Sequence, residues 1–146
     1  MIRPATRDDL GEVALLIRAL ADYEDMAADV VWELADLERH LFGSDPAAHV
    51  ALAVEPDGAV AGMAIWFRTF STFRGQPGIW LEDLFVRPEL RGRGHGRALL
   101  EHLRELTDGR VEWSVLDWNA PSIAMYEHLG AEPLPGWTTY RWTPTD

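Results

Sequence analysis

Apolar positions along the chain follow two periods. Leu10, Val13, Ala14, Ile17, Leu20 and Ala21 recur at the spacing of a helix with one buried face. Ile2 to Ala5 reads as a short strand before it. Between them Thr6 stands three residues ahead of Asp9, a capping-box start. A weaker helical pattern covers Glu33 to Phe42 and stops at Gly43-Ser44-Asp45-Pro46. The period then changes to the continuous or alternating apolar runs of strands. Val50 to Glu55 and Ala59 to Thr69 form a hairpin about the turn Pro56-Asp57-Gly58. A second turn, Arg74 to Gly78, leads into a strand over Ile79 to Val86. Ala98, Leu99, Leu100, Leu103 and Leu106 mark a helix, Val111 to Leu116 a strand and Ser122 to Leu129 a short helix. Tyr140 and Trp142 alternate in a closing strand over Thr138 to Thr143. An antiparallel start followed by strand–helix–strand–helix–strand predicts an α/β (α+β) fold, a mixed central sheet flanked by helices. With no repeat or low-complexity linker, residues 1–146 read as one domain.

Composition narrows the chemistry. The chain has no Cys, which excludes disulfides, thiolate metal sites and a cysteine nucleophile. All 13 basic residues are Arg, so no Lys can serve as a Schiff base, a phosphate-loop lysine or a site of self-acylation. The formal net charge of −11 argues against general nucleic-acid binding. No apolar run is long enough to span a bilayer and no secretory leader is visible, so the expected compartment is the cytoplasm. The charges are segregated. Asp22, Glu24, Asp25, Asp29, Glu33, Asp36 and Glu38 follow one another without a basic residue, whereas Arg87, Arg91, Arg93, Arg97 and Arg104 face only Glu89 and Glu101. One region suits a cation and the other an anion, unless both are ordinary solvated faces.

The segment Arg91-Gly92-Arg93-Gly94-His95-Gly96-Arg97 lies between a predicted strand and a predicted helix. Glycines let a backbone approach a ligand closely, and the first N–H groups of a helix have no intrahelical acceptor. Together they make an anion cradle. A Walker A loop is excluded by the missing Lys. A dinucleotide fingerprint lacks its third Gly, because Arg97 stands there, although Glu112 lies near the ribose-binding position. A coenzyme A diphosphate cradle and a purely structural turn remain.

At this loop the chain resembles the GNAT superfamily of N-acetyltransferases, whose acyl-CoA loop reads Arg/Gln-x-x-Gly-x-Gly/Ala. Tyr23-Glu24, Trp80-Leu81-Glu82-Asp83-Leu84-Phe85-Val86, and Asp117-Trp118-Asn119-Ala120-Pro121-Ser122 followed by Tyr126 resemble its diamine (spermidine/spermine) and thialysine branch. The resemblance runs almost end to end. It implies a GNAT fold, a homodimer, and acetyl-CoA as donor. Leu84 and Val86 would offer backbone groups to the pantetheine arm, Gly92 to Arg97 would hold the diphosphate, and Asn119 and Ser122 would contact the lower part of CoA. On local grounds Asn119 is equally a helix N-cap before Pro121. Tyr23, Glu24 and Asp83 are carried over as acceptor contacts, and Trp118 as a cation–π wall of the channel or a packed core residue. Pro135 precedes Gly136-Trp137 where the branch has an acidic residue, which removes one contact to a polycation.

Acetyl transfer to an amine needs a base for the ammonium proton, donors for the oxyanion and an acid for the leaving thiolate. Glu82 ends a mostly apolar strand and is the candidate base, through water. Backbone N–H groups near Leu84 and Phe85 are the oxyanion donors. Tyr126, a phenol protonated at neutral pH, matches the branch's general acid; its alternative is a core tyrosine. In an ideal strand Asp83 faces away from Glu82, so the two are not expected to pair unless a bulge re-aims one of them. With no acyl-enzyme nucleophile in sight, transfer is expected directly within a ternary complex. His95 and His102 give no metal-ligand spacing, and no metal is expected. The other readings are acetylation of a protein N-terminus or an aminoglycoside, and a non-catalytic acyl-CoA-binding module.

Overall fold

In the computed structural model residues 1–145 are described, and they divide into two compact units, the first Met1–Trp113 and the second from Ser114 onward. The first unit holds a five-stranded sheet in the order β1 (Ile2–Pro4), β2 (His49–Val54), β3 (Val60–Ser71), β4 (Gln76–Val86), β5 (Val111–Glu112). Neighbours are antiparallel except β4 and β5, which are parallel, so the sheet is mixed as the element order predicts.

The capping box forms on the 3-10 turn Arg7–Asp9 that leads into helix α1 (Leu10–Tyr23): the Asp9 carboxylate accepts the Thr6 N–H at 2.7 Å. Arg3 holds the same carboxylate at 2.8 Å, and this guanidinium keeps Asp9 well below the usual carboxylate range, at about 2. The helix buries Val13, Leu16 and Leu20 against Val50, Leu52, Val54, Met63, Ile65 and Phe85. Helix α2 (Leu34–Phe42) packs on α1. Helix α3 (His95–Glu105) buries Leu99, Leu100 and Leu103 and packs against β2, β3 and β4. Strand alternation turns Ala51, Ala53, Gly62 and Ala64 away from the α1 cluster, and these small residues let α3 approach.

Gly62 also sets the spacing of β3 and β4. A Cβ there would collide with the Phe85 carbonyl and lie 3.0 Å from Val86 Cα. Gly62→Ala should therefore lower unfolding free energy by about 2 kcal/mol, read as a lower denaturation midpoint at unchanged slope.

In the second unit, helix α4 (Ala120–His128) begins at Asn119, whose side chain accepts the Ser122 N–H at a long 3.4 Å, with Pro121 in the first turn. Two predicted strands are corrected. Val111 to Leu116 is a strand only at Val111–Glu112. Its pairing with β4 ends just before an irregularity at Glu82, and such a bulge terminates a ladder. Thr138 to Thr143 is not a strand: Tyr140 is 92% and Trp142 98% exposed. Alternation gives a segment two faces, but a strand exists only where a neighbour takes its backbone hydrogen bonds, and none of the described strands pairs with this segment.

Candidate active site

The site residues of the first unit gather around β4 and the loop after it. In the register of β3 and β4, Trp66 lies opposite Leu81 and Ile65 opposite Asp83, so Glu82 has no partner and forms a bulge. The bulge overturns the ideal-strand expectation for the two acids. Asp83 lies on the face of Ile65, the α1 face, and Trp80, opposite Phe67, lies on that face too. Trp80 Nε1 donates to Glu82 Oε2 at 2.9 Å, which holds Glu82 on the same side. The two carboxylates are thus neighbours.

Glu24 joins them from the C-cap of α1. Burial, then the charges of Glu82 and Glu24, push the Asp83 carboxyl up to about 6, and burial raises Glu24 as well. Three acids with this electrostatic coupling give the region a negative potential. Tyr23 ends α1, and the Arg91 guanidinium lies 5.1 Å from the centre of its ring and 5.5 Å from that of Phe85.

The edge of β4 is a second feature of this region. The Arg87 N–H donates to Ala61 of β3 at 2.8 Å. Alternation then directs the peptide groups of Phe85 toward β3 and those of Leu84 and Val86 to the opposite edge. Beyond Trp80 that edge has no partner among the described strands, so an extended amide ligand can add to it as a strand. Arg91 Nε already donates to the Val86 carbonyl from there, at 2.9 Å.

The glycine loop follows. Gly92 and Gly94 hold φ of 77° and 87°, the left-handed region that favours glycine, and Gly94 is the N-cap of α3. A Cβ on either would meet open space, so conformation and not crowding calls for glycine here. The first α3 bond runs from Ala98 N–H to the Gly94 carbonyl, which leaves the N–H groups of His95, Gly96 and Arg97 ahead of it without intrahelical acceptors. The arginines contribute less than their number suggests. Arg87 pairs with Glu12, Arg93 with Glu55 and Arg97 with Glu101. What the loop offers an anion is mainly backbone dipoles.

In the second unit Asn119 is 8% exposed and acts as the cap that local reading allowed; Ser122 supplies the capped N–H. Tyr126 is half-buried on α4, and Trp118 is exposed. Sequence reasoning missed Trp80 and Glu55. Trp80 lies two residues before Glu82 on the same strand, a spacing that could have found it. Glu55 lies 38 residues from Arg93, and no local pattern links them.

Residues 17–131 match the model of the acetyltransferase (GNAT) family. A thialysine N-epsilon-acetyltransferase from Bos taurus is 34% identical over 97% of this chain and 91% of its own. A spermidine/spermine N(1)-acetyltransferase-like protein from Homo sapiens is 30% identical over 96% of this chain and 22% of its own length. A crystal structure of a probable acetyltransferase shares the fold with a TM-score of 0.80, at 19% identity, covering 100% of this chain and 99% of that one. A mixed sheet whose fourth strand is bulged, open-edged and followed by a glycine loop into a helix is the framework of an acyl-transfer domain. The chain belongs to the GNAT family of acetyltransferases and is an N-acetyltransferase enzyme, and its motifs are those of the branch these relatives represent.

Proposed function

We propose that the enzyme transfers acetyl from acetyl-CoA directly to a primary amine of a small cationic acceptor: a diamine, a polyamine or a thialysine-like amino acid. The observation that carries this reading is β4 itself. Its open edge, its paired acids and the helix start that follows it join an amide-binding strand, a cation site and an anion cradle in one segment. Leu84 and Val86 pair with the pantetheine arm, and the amides of Gly92 to Arg97 hold the diphosphate. Asn119 and Ser122 contact the lower part of CoA. Tyr23, Glu24, Asp83 and Trp118 receive the acceptor.

The chemistry follows from charge. An alkylammonium, with a pKa of about 10.4, has no lone pair. Glu82 takes its proton through water, and the amine nitrogen attacks the thioester carbonyl. The Leu84 N–H, which points to the open edge, supports the oxyanion. The C–S bond then breaks, the Tyr126 phenol protonates the leaving thiolate, and the surplus proton on the new amide nitrogen passes through water to restore the phenol. Relatives that act on thialysine, as the Bos taurus protein is named, favour a single-chain amine acceptor. The proposal includes one domain over residues 1–146, a homodimer and a cytoplasmic setting.

A CoA-release assay across amines, amino acids and peptides tests it. Small diamines or thialysine should give turnover and initial-rate lines that intersect. Parallel lines would mean a ping-pong route and end the direct-transfer reading; turnover confined to peptides or aminoglycosides would replace the acceptor class.

A further inference from the structure

Glu55 follows β2 where the chain turns toward β3. Its N–H donates to Ala59 at 2.8 Å and its carbonyl accepts Gly58 at 2.9 Å, so the turn fixes its backbone from both sides. Its carboxylate Oε1 receives Arg93 Nη1 at 3.0 Å and His95 Nε2 at 3.0 Å. A nitrogen facing a carboxylate is the protonated one, so Nε2 is the donor. The His95 hydrogen bond, with Arg93 beside it, holds the Glu55 carboxyl below its ordinary range. The side chain is only 14% exposed.

The two donors flank Gly94, the residue whose left-handed turn starts α3. A carboxylate near an anion site opposes the ligand unless its charge is cancelled. Here the Arg93 guanidinium cancels it and His95 adds a hydrogen bond, and what remains is geometry: one fixed oxygen joined to the residues on each side of the turn. Amides in such a turn hold an anion only while successive N–H groups converge.

We propose that Glu55 is a positioning residue of the donor site, tying Arg93 and His95 so that the amides opening α3 are set for the diphosphate of acetyl-CoA. The inference rests on the acetyl-CoA reading given above. The backbone then grips the diphosphate, and the Arg93 and His95 side chains are ties and not ligands.

Calorimetry with acetyl-CoA and steady-state kinetics on the full chain test this with Glu55→Ala, Glu55→Gln, Arg93→Ala and the Glu55→Ala/Arg93→Ala double variant. Glu55→Ala should raise both Kd and KM for acetyl-CoA by about tenfold, with kcat and the amine KM changed by less than about twofold. Glu55→Gln, which keeps one acceptor oxygen, should fall between. Arg93→Ala should cost little further once Glu55 is gone, the signature of one shared interaction. Unchanged or tighter acetyl-CoA binding in folded Glu55→Ala overturns the proposal, as does an Arg93→Ala loss equally large with and without Glu55. If Glu55→Ala fails to fold, Glu55→Gln carries the same comparison. Absence of binding by the unaltered enzyme would instead refute the acetyl-CoA reading itself.

Discussion

Tyr126→Phe should lower kcat by about 10²-fold or more while leaving acetyl-CoA affinity within about threefold. The substitution removes one oxygen and keeps the ring, so packing on α4 is preserved and proton donation is not. A thiol has a pKa of about 8.5, so its anion leaves without help at a finite rate, and a residual turnover should persist. Pre-steady-state kinetics with the preferred amine check this. A kcat equal to that of the unaltered enzyme would remove Tyr126 from the chemistry, and loss of donor binding would make it a binding residue instead.

Asp83→Asn should make the protein more stable and a poorer catalyst. The carboxyl is pushed up to about 6 in the folded chain, well above the ordinary aspartate value of about 3.9. A raised pKa means that the folded state favours the neutral acid. Its stabilising contribution is complete below about pH 4 and is lost as pH rises through about 6. Above that, the native protein carries a half-buried charge beside Glu82 and Glu24. Asparagine removes this cost, so denaturant unfolding at pH 8 should show a gain of about 2 kcal/mol that vanishes near pH 4. The same charge attracts the ammonium group. The kcat/KM for the amine should therefore fall about 10- to 100-fold at pH 8. In the unaltered enzyme, kcat/KM should decline as pH drops through about 6, and this limb should be absent in Asp83→Asn. A variant that is neither more stable at pH 8 nor weaker toward the amine would show that neither burial nor the Glu82 and Glu24 charges act on Asp83 as described.

The stability gained and the catalysis lost in Asp83→Asn are one physical trade. Carboxylates gathered at the bulge cost native stability because like charges share a partly dry site, and they give the site its affinity for a cation. Trp80 limits the cost by donating to Glu82, and Arg91 places its guanidinium against Tyr23 and Phe85 at the neighbouring loop.

Much of this was present in the sequence because it depends on local order. The helical period from Leu10 to Ala21, the Thr6 and Asp9 cap, the Pro56-Asp57-Gly58 hairpin and the Gly92 to Gly96 loop are each encoded within a few residues, and each forms at or near the expected place. The capping role of Asn119 is local in the same way. The tertiary structure alone decided what depends on a partner elsewhere in the chain. Glu82 and Asp83 share a face only because the register of β3 skips one residue of β4, a fact of pairing that no strand contains by itself. Tyr140 and Trp142 alternate as a strand should, yet form none, because a ladder needs a neighbour. Glu55 ties Arg93 to His95, because contacts across 38 to 40 residues are set by where the sheet places its turns.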